Sequence, residues 1–388
     1  MSAVNDNTMT TRSPRVARRS RGRWQHGLSL VELMVALGLG AFITVGIIQM
    51  FTANRETYDV NMGQARLQEN ARFALDFLAS PTRMAGFMGC VTDGADIENV
   101  LEPDPGPKPF EYDLQQIIQG HDATSAGMWS PDLTSLPAAI ATARIASGTD
   151  VLIVRQADAT GLRLTADMAN SVAAINTVAP TAAQEAAFLR DSVLLLSDCE
   201  RGAIFAVTNV PGSVAGGDTE FTFAHASGAV AGVANRNFRD NLTSDNTTFR
   251  SDAAVYPVMT HVFYVSSNVD ASTASGFREN GSGNVILSLW RRSGNQPAAE
   301  LVEGIEDLQL LYGVDTDQDG VPNRYRTIQN IADPNEIVTV RICVTSTSVD
   351  SVRSGAYQFQ PCVGAVQTMT DGLLRRNFTK TIQLRNRI

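Results

Sequence analysis

Apolar and polar positions divide the chain into contrasting stretches. From Leu33 to Phe51 there is no charged residue. A helix through that run rises about 28 Å, close to the thickness of a bilayer core. The pattern then changes. Leu67, Ala71, Ala74, Leu75 and Leu78 recur at the spacing of one helix face, while Gln68, Glu69, Arg72 and Asp76 fall largely elsewhere. Residues 28–80 contain no proline, and Pro81 predicts a stop. The pattern therefore predicts one helix over 28–80. Its 28–52 part is apolar all round and membrane-spanning, and its second part carries a single stripe that must dock on something.

Downstream, period and punctuation change again. Residues 91–149 are broken by Pro103, Pro105, Pro107, Pro109, Gly120, Gly127, Pro131 and Pro137, which predicts an irregular segment with one short helix near 133–145. Strands are predicted at 151–155, 220–224, 258–265, 284–291, 337–346 and 378–385. Two more, 193–197 and 203–207, flank Asp198-Cys199-Glu200-Arg201-Gly202 as a hairpin. Residues 165–190 are Ala-rich enough for a helical turn or two, 211–253 read otherwise as loops, and 300–312 mixes helix and strand signals. The fold class is α+β: a long N-terminal helix packed on a mainly antiparallel sheet domain over 81–388, with irregular insertions.

Charge orients this plan. Residues 1–27 hold six arginines and one acid; removing them from 31 basic and 40 acidic residues leaves 25 and 39, a net −14. The basic leader precedes the apolar run, so the positive-inside rule puts the N-terminus in the cytoplasm and the rest outside. The acidic exterior argues against nucleic acid as a ligand. A cleaved secretory signal would have a shorter apolar core and a small-residue site after it; here the small residue, Gly27, comes before the run.

The four cysteines, Cys90, Cys199, Cys343 and Cys362, all lie beyond the apolar run, where an oxidising compartment allows two disulfides. Three connectivities are open. Cys343–Cys362 closes a short loop easily, which favours it together with Cys90–Cys199. Strand alternation over 337–346 puts Val338, Val340, Ile342 and Val344 on one face, and Cys343 with Thr339, Arg341 and Thr345 on the other, more polar one.

A basic leader ending in Gly27, then an apolar helix with Glu32 five residues on, resembles the class III signal of type IV pilins and type II secretion pseudopilins. The resemblance implies cleavage by a prepilin peptidase between Gly27 and Leu28, and methylation of the new Leu28 amino group. It gives Glu32 the role of neutralising that amino group in a neighbouring subunit. The run 67–78 and Arg83-Met84-Ala85-Gly86-Phe87-Met88-Gly89-Cys90 are similar to the PilW family of minor pilins, although Ser80-Pro81-Thr82 stands where a charged residue is usual. Residues 301–325, with the Asp-rich loop, and the C-terminal strand are similar too. The family implies assembly of a type IV pilus, at the inner membrane and then in the fibre. Implied partners are other minor pilins, the major pilin, the inner-membrane assembly platform and a tip adhesin.

Asp315-Thr316-Asp317-Gln318-Asp319-Gly320 begins like a calcium loop, with carboxylates at alternate positions before a glycine. The twelfth position holds Arg326, which excludes a full EF-hand. A looser cage of Asp315, Asp317 and Asp319 would need the Val321 carbonyl, Asn323, Asp333 or Glu336. The other reading is a hairpin turn. The basic C-terminal strand reads as a charged edge. The four histidines are scattered and no hydrolase, phosphate-loop or zinc-protease motif occurs, so no catalytic residue is expected. The type II secretion pseudopilin and a membrane-anchored calcium-dependent adhesin or binding module are the competing readings.

Overall fold

A computed structural model describes residues 27–91, 96–102, 108–125, 127–137, 140, 144–212, 216–230, 233–235, 242–243, 248–294 and 296–387. Of the expected leader, residues 1–27, all but Gly27 lies outside the described residues. The chain forms two compact units, 1–55 and 56–388.

Helix α1 runs Leu30–Met84. Within the first unit every residue from Gly27 to Arg55 is exposed. Its two helical threonines hide their hydroxyls by donating back along the helix, Thr44 Oγ1 to Gly40 O at 2.7 Å and Thr52 Oγ1 to Ile48 O at 2.8 Å. That pairing matters in a segment this apolar, because an unpaired hydroxyl in hydrocarbon is costly.

In the second unit α1 buries Gly63, Leu67, Ala71, Ala74, Leu75, Leu78 and Ala79, the expected stripe with one residue added at each end. The helix does not stop at residue 80. It continues past Pro81 to Met84, because a proline in the last turn forfeits only its own bond to the carbonyl four residues back. Pro81 and Thr82 are buried, and Thr82 Oγ1 donates to Leu78 O at 2.6 Å. Beyond, Met84 O accepts from Phe87 N at 2.9 Å, and Asn386 Nδ2 lies 3.3 Å from Met84 O and 3.1 Å from Ala85 O. Gly86 then turns the chain at φ +73°, where a Cβ would come within 2.7 Å of Ile117 Cδ1.

The strands are β1 Ile97–Asn99, β2 Ile118–Ser125, β3 Met128–Ser130, β4 Val151–Ala157, β5 Leu162–Arg163, β6 Ile175–Val178, β7 Val193–Ser197, β8 Gly202–Ala206, β9 Glu220–Phe223, β10 Gly228–Val230 and β11 Val233–Asn235. After them come β12 Ala254–Ser266, β13 Ser288–Ser293, β14 Ala299–Glu303, β15 Ile305–Val314, β16 Arg324–Arg326, β17 Ile337–Thr347, β18 Tyr357–Phe359, β19 Gln367–Met369 and β20 Arg375–Gln383. Among the described residues, strand pairing is antiparallel except between β1 and β8.

The larger sheet is ordered β1-β8-β7-β12-β4-β2-β3, with β5 and β13–β14 also joined through β12. The smaller is β16-β15-β17-β20. β12 reaches further back than the predicted 258–265 and passes through Pro257. That proline sits where the partner changes from β5, at Ala254–Val255, to β4, from Val258 onward, so its missing N–H falls in a gap of the ladder. The ambiguous 300–312 stretch is two strands parted by Gly304. The expected 133–145 helix is a 3-10 turn at Leu133–Ser135, with 138–139 and 141–143 outside the described residues. The Ala-rich 165–190 holds β6 and a 3-10 turn at Glu185–Phe188.

One core joins Ala74, Leu75 and Leu78 of α1 to Leu308, Leu310 and Tyr312 of β15 and Val340, Ile342 and Val344 of β17. On its far side lie Ile118 of β2 and Leu152 and Val154 of β4. Tyr312 crosses this seam so closely that its hydroxyl occupies the place a side chain at Gly120 would take. Behind β4, the buried Arg155 donates to Phe110 O at 2.9 Å and Gln116 O at 2.7 Å, and lies 4.7 Å from the centre of the Phe110 ring. Burial draws its guanidinium down to about 10.

Asp150 bolts the seam. Its carboxylate accepts from Ala123 N of β2 and Leu310 N of β15, each at 2.8 Å, and its own N–H donates to Leu308 O at 2.8 Å. Burial pushes its pKa up to about 7, against those two hydrogen bonds, with Asp122 and Asp307 adding like charge. A carboxyl whose folded pKa exceeds its unfolded one binds its proton more tightly in the folded state. Its contribution is therefore full below about pH 4 and lost as the pH rises through about 7. His261, drawn down to about 4 by burial, acts in the opposite sense over part of that window. The diagnostic quantity is thus a difference between proteins. The melting temperature of the wild type minus that of Asp150→Asn should fall as the pH is raised from 5 to 8, and a constant difference refutes the assignment.

Candidate functional site

Two places carry the residues singled out from the sequence. The first is the start of α1. Gly27 and Leu28 precede the helix and are exposed, and space around Gly27 is open. Ser29 caps the helix: its Oγ accepts from Glu32 N at 3.2 Å and its carbonyl from Leu33 N at 3.0 Å. Ser29-x-x-Glu32 is a capping-box spacing, a signal the sequence held but which hydropathy alone passes over. An acid in the first turn also faces the positive end of the helix dipole. Glu32 thus suits a helix start on local grounds, and its exposed carboxylate remains available to a group outside the chain.

The second place is the tip between β15 and β16. The chain enters through Asp315, whose N–H donates to Glu336 O at 2.9 Å. The Asp315 carboxylate is buried and accepts from Asp317 N at 3.2 Å and from Gln318 N and Gly320 N at 2.8 Å. Burial alone would raise its pKa; the N–H of Gly320, the Asp317 side chain and the other backbone donors together hold it below the usual carboxylate range. Asn323 closes the loop. Its Oδ1 accepts from Thr316 N and Oγ1, and its Nδ2 donates to Asp317 Oδ1 at 3.1 Å.

Carboxylate oxygens of Asp315, Asp317 and Asp319 lie within 4.8 Å of one another, and the last two residues are exposed. Like charges at that spacing repel by about 1 kcal/mol per pair in water. Oxygen donors so placed could hold one hard divalent cation. The supporting residues expected from the sequence are only partly gathered. Asn323 is committed to the turn, Asp333 Oδ1 accepts from Asn335 N in a separate 3-10 turn, and Arg326 donates to Asn330 O.

The cysteines pair as Cys90–Cys199 and Cys343–Cys362, with Cα separations of 4.5 and 6.1 Å. The first ties the turn after α1 to the β7–β8 hairpin. The second ties β17 to the segment before β20. Arg341 and Cys343 are half-buried on the polar face of β17, opposite the buried Val340, Ile342 and Val344, although Thr339 and Thr345 on the same face are buried as well.

Residues 262–386 match the model of the PilW family, Type IV Pilus-assembly protein W. This match supports a PilW-family assignment. By that description PilW is a family of type IV pilus assembly, and the match covers about a third of the chain. No curated protein and no solved structure matches the chain. The PilW-matched segment holds β13 to β20, and with them the smaller sheet, the Asp-rich tip and the Cys343–Cys362 link. It does not include α1 or the turn at Gly86, which carried most of the resemblance in the sequence. Calcium is expected to raise the melting temperature of the full chain in detergent. Asp317→Ala, which spares the three bonds to Asp315, should abolish that rise. A flat calcium titration leaves a turn closed by Asp315 and Asn323.

Proposed function

We propose that the chain is a minor pilin of the type IV pilus. In this reading it enters the inner membrane as a prepilin with its N-terminus in the cytoplasm and the domain after α1 in the periplasm. Prepilin peptidase cuts after Gly27, Leu28 is methylated, and the mature chain joins other minor pilins to prime assembly of the major pilin on the inner-membrane platform. It then stays in the fibre, at or near the tip, where an adhesin is its outward partner. The observation that carries the reading is one helix serving two environments. α1 is exposed and apolar before Arg55. Further on it buries a stripe against the sheet that matches a pilus-assembly family. An anchor that can leave the bilayer only as part of a bundle needs that division.

The work is done by helix association without covalent catalysis. Cleavage after Gly27 places an α-amino group two residues before the first helical residue, at the positive end of the dipole, where a cation is unfavourable. Glu32 of a neighbouring subunit can neutralise it. In hydrocarbon such a pair is worth far more than on a wet surface, since each charge alone costs a few kcal/mol. Pairing of this kind both favours association and fixes the axial register. The family's pilus-assembly description supports this reading over a type II secretion pseudopilin.

Mass spectrometry of the mature protein should find an N-methylated Leu28 as its first residue; an intact leader, or cleavage at another bond, refutes the proposal. Glu32→Ala should leave the β domain folded, with both disulfides formed, and lower the number of pili. Normal piliation in that variant removes the charge-pairing step.

A further inference from the structure

Where β15 passes the β18–β19 hairpin there is a cleft of 330 Å3. Phe359 and Met369 give it an apolar wall, and Glu306, Asp307, Gln309 and Arg375 line the other side. The charges are unevenly matched. Arg375, itself buried, grips Glu306 at 2.5 and 3.0 Å and Asp371 at 2.5 and 2.9 Å. Asp307 has the Gln309 amide, 2.8 Å away, and the Leu308 N–H, and no basic side chain pairs with it among the described residues. Glu306 and Asp371 therefore share one guanidinium while Asp307 has no counter-ion, and Asp150 behind Asp307 adds the same sign.

We infer that this cleft receives a lysine or arginine side chain presented by a partner protein, with Asp307 meeting the charged head and Phe359 and Met369 covering the aliphatic stem. The inference does not rest on the pilus reading, since it concerns the chemistry of the cleft alone. A long basic side chain is the group that satisfies an acid and an apolar wall together. A bare metal ion or a purely apolar segment would satisfy only one. Burial, with Glu306 adding its charge, already pushes Asp307 up to about 6 despite the Gln309 bond. Below that pH an arriving cation must first displace a proton, so the grip should weaken in acid. The charged groups around Asp307 that bear on this are Glu306, Arg375 with its partner Asp371, and Asp150.

The test uses the full chain in detergent and two small probes, Nα-acetyl-lysine methylamide and its norleucine counterpart, which has the stem without the ammonium. The lysine probe should raise the melting temperature at pH 7.5 and the norleucine probe should not. Its apparent affinity should drop about tenfold at pH 5, where Asp307 is mostly protonated. Asp307→Asn can keep the Gln309 contact and should lose the response. Met369→Lys should supply the ammonium from within, melt higher than wild type at pH 7.5 and no longer respond. Equal shifts from both probes, an undiminished response in Asp307→Asn, or no response in the wild type overturns the inference. Tighter binding of putrescine than of the lysine probe overturns the choice of a side chain over a free amine.

Discussion

The contact on which the rest of the domain depends is the stripe of α1 from Leu67 to Ala79 against the sheet β16-β15-β17-β20. Neither partner can exist in water without the other. A stripe carrying three alanines in about four turns buries little area by itself, so it must lie close, and its small residues allow that. Polar bonds fix the register. Ser346 Oγ donates to Leu67 O at 3.1 Å, Asn70 Nδ2 to Glu303 O at 3.0 Å, and Lys380 Nζ meets Asp76 at 2.8 Å. The exposed ion pair adds little energy. The two amide and hydroxyl bonds reach backbone carbonyls and therefore position the helix along its axis, which apolar contact alone does not.

From that contact the fold extends outward by sharing residues between layers. β15 and β17 give one face to the helix, and the same core continues to Ile118, Leu152 and Val154 of the larger sheet. Asp150 and Tyr312 cross the seam, one as a doubly bonded carboxylate and the other as a phenol buried against Gly120. β12 then joins what lies beyond, because its 13 residues are long enough to pair with β7 and β5 at one end and β4 and β13 at the other. The Cys90–Cys199 bond spans a separation of 109 residues and returns the end of α1 to the β7–β8 hairpin. A cross-link over so long a loop restricts the unfolded chain strongly, worth about 2–5 kcal/mol.

What the sequence made legible follows from the range of the interaction responsible. The helix stripe is a local period, and Leu67, Ala71, Ala74, Leu75 and Leu78 are all buried where the period puts them. The strands at 151–155, 193–197 and 337–346 are apolar enough to declare themselves. Partner choice is not local, so β12 could not be followed through Pro257, and 300–312 could not be resolved into β14 and β15. The buried acids were the largest gap. Asp122, Asp150 and Asp307 look in the sequence like any surface acid, and only the approach of β2, β4 and β15 removes their water. Of the functional residues, Glu32 was visible because a charge beside an apolar run is conspicuous, while the cap at Ser29 was hidden by its ordinariness.

The same contrast explains why the two acidic places in the PilW-matched segment behave differently. At the tip, Asp315 is supplied with three backbone N–H donors before any ligand arrives, so burial is more than compensated and its pKa falls. At the cleft, Asp307 has the Gln309 amide and the Leu308 N–H but no counter-ion, its neighbour's being already shared, so burial prevails and its pKa rises. A carboxylate satisfied from within shapes a turn. One buried without a counter-ion keeps a free energy of ionisation that an outside cation can recover. By that measure Asp307, though no sequence motif marks it, has more to gain from a partner than Asp315 does.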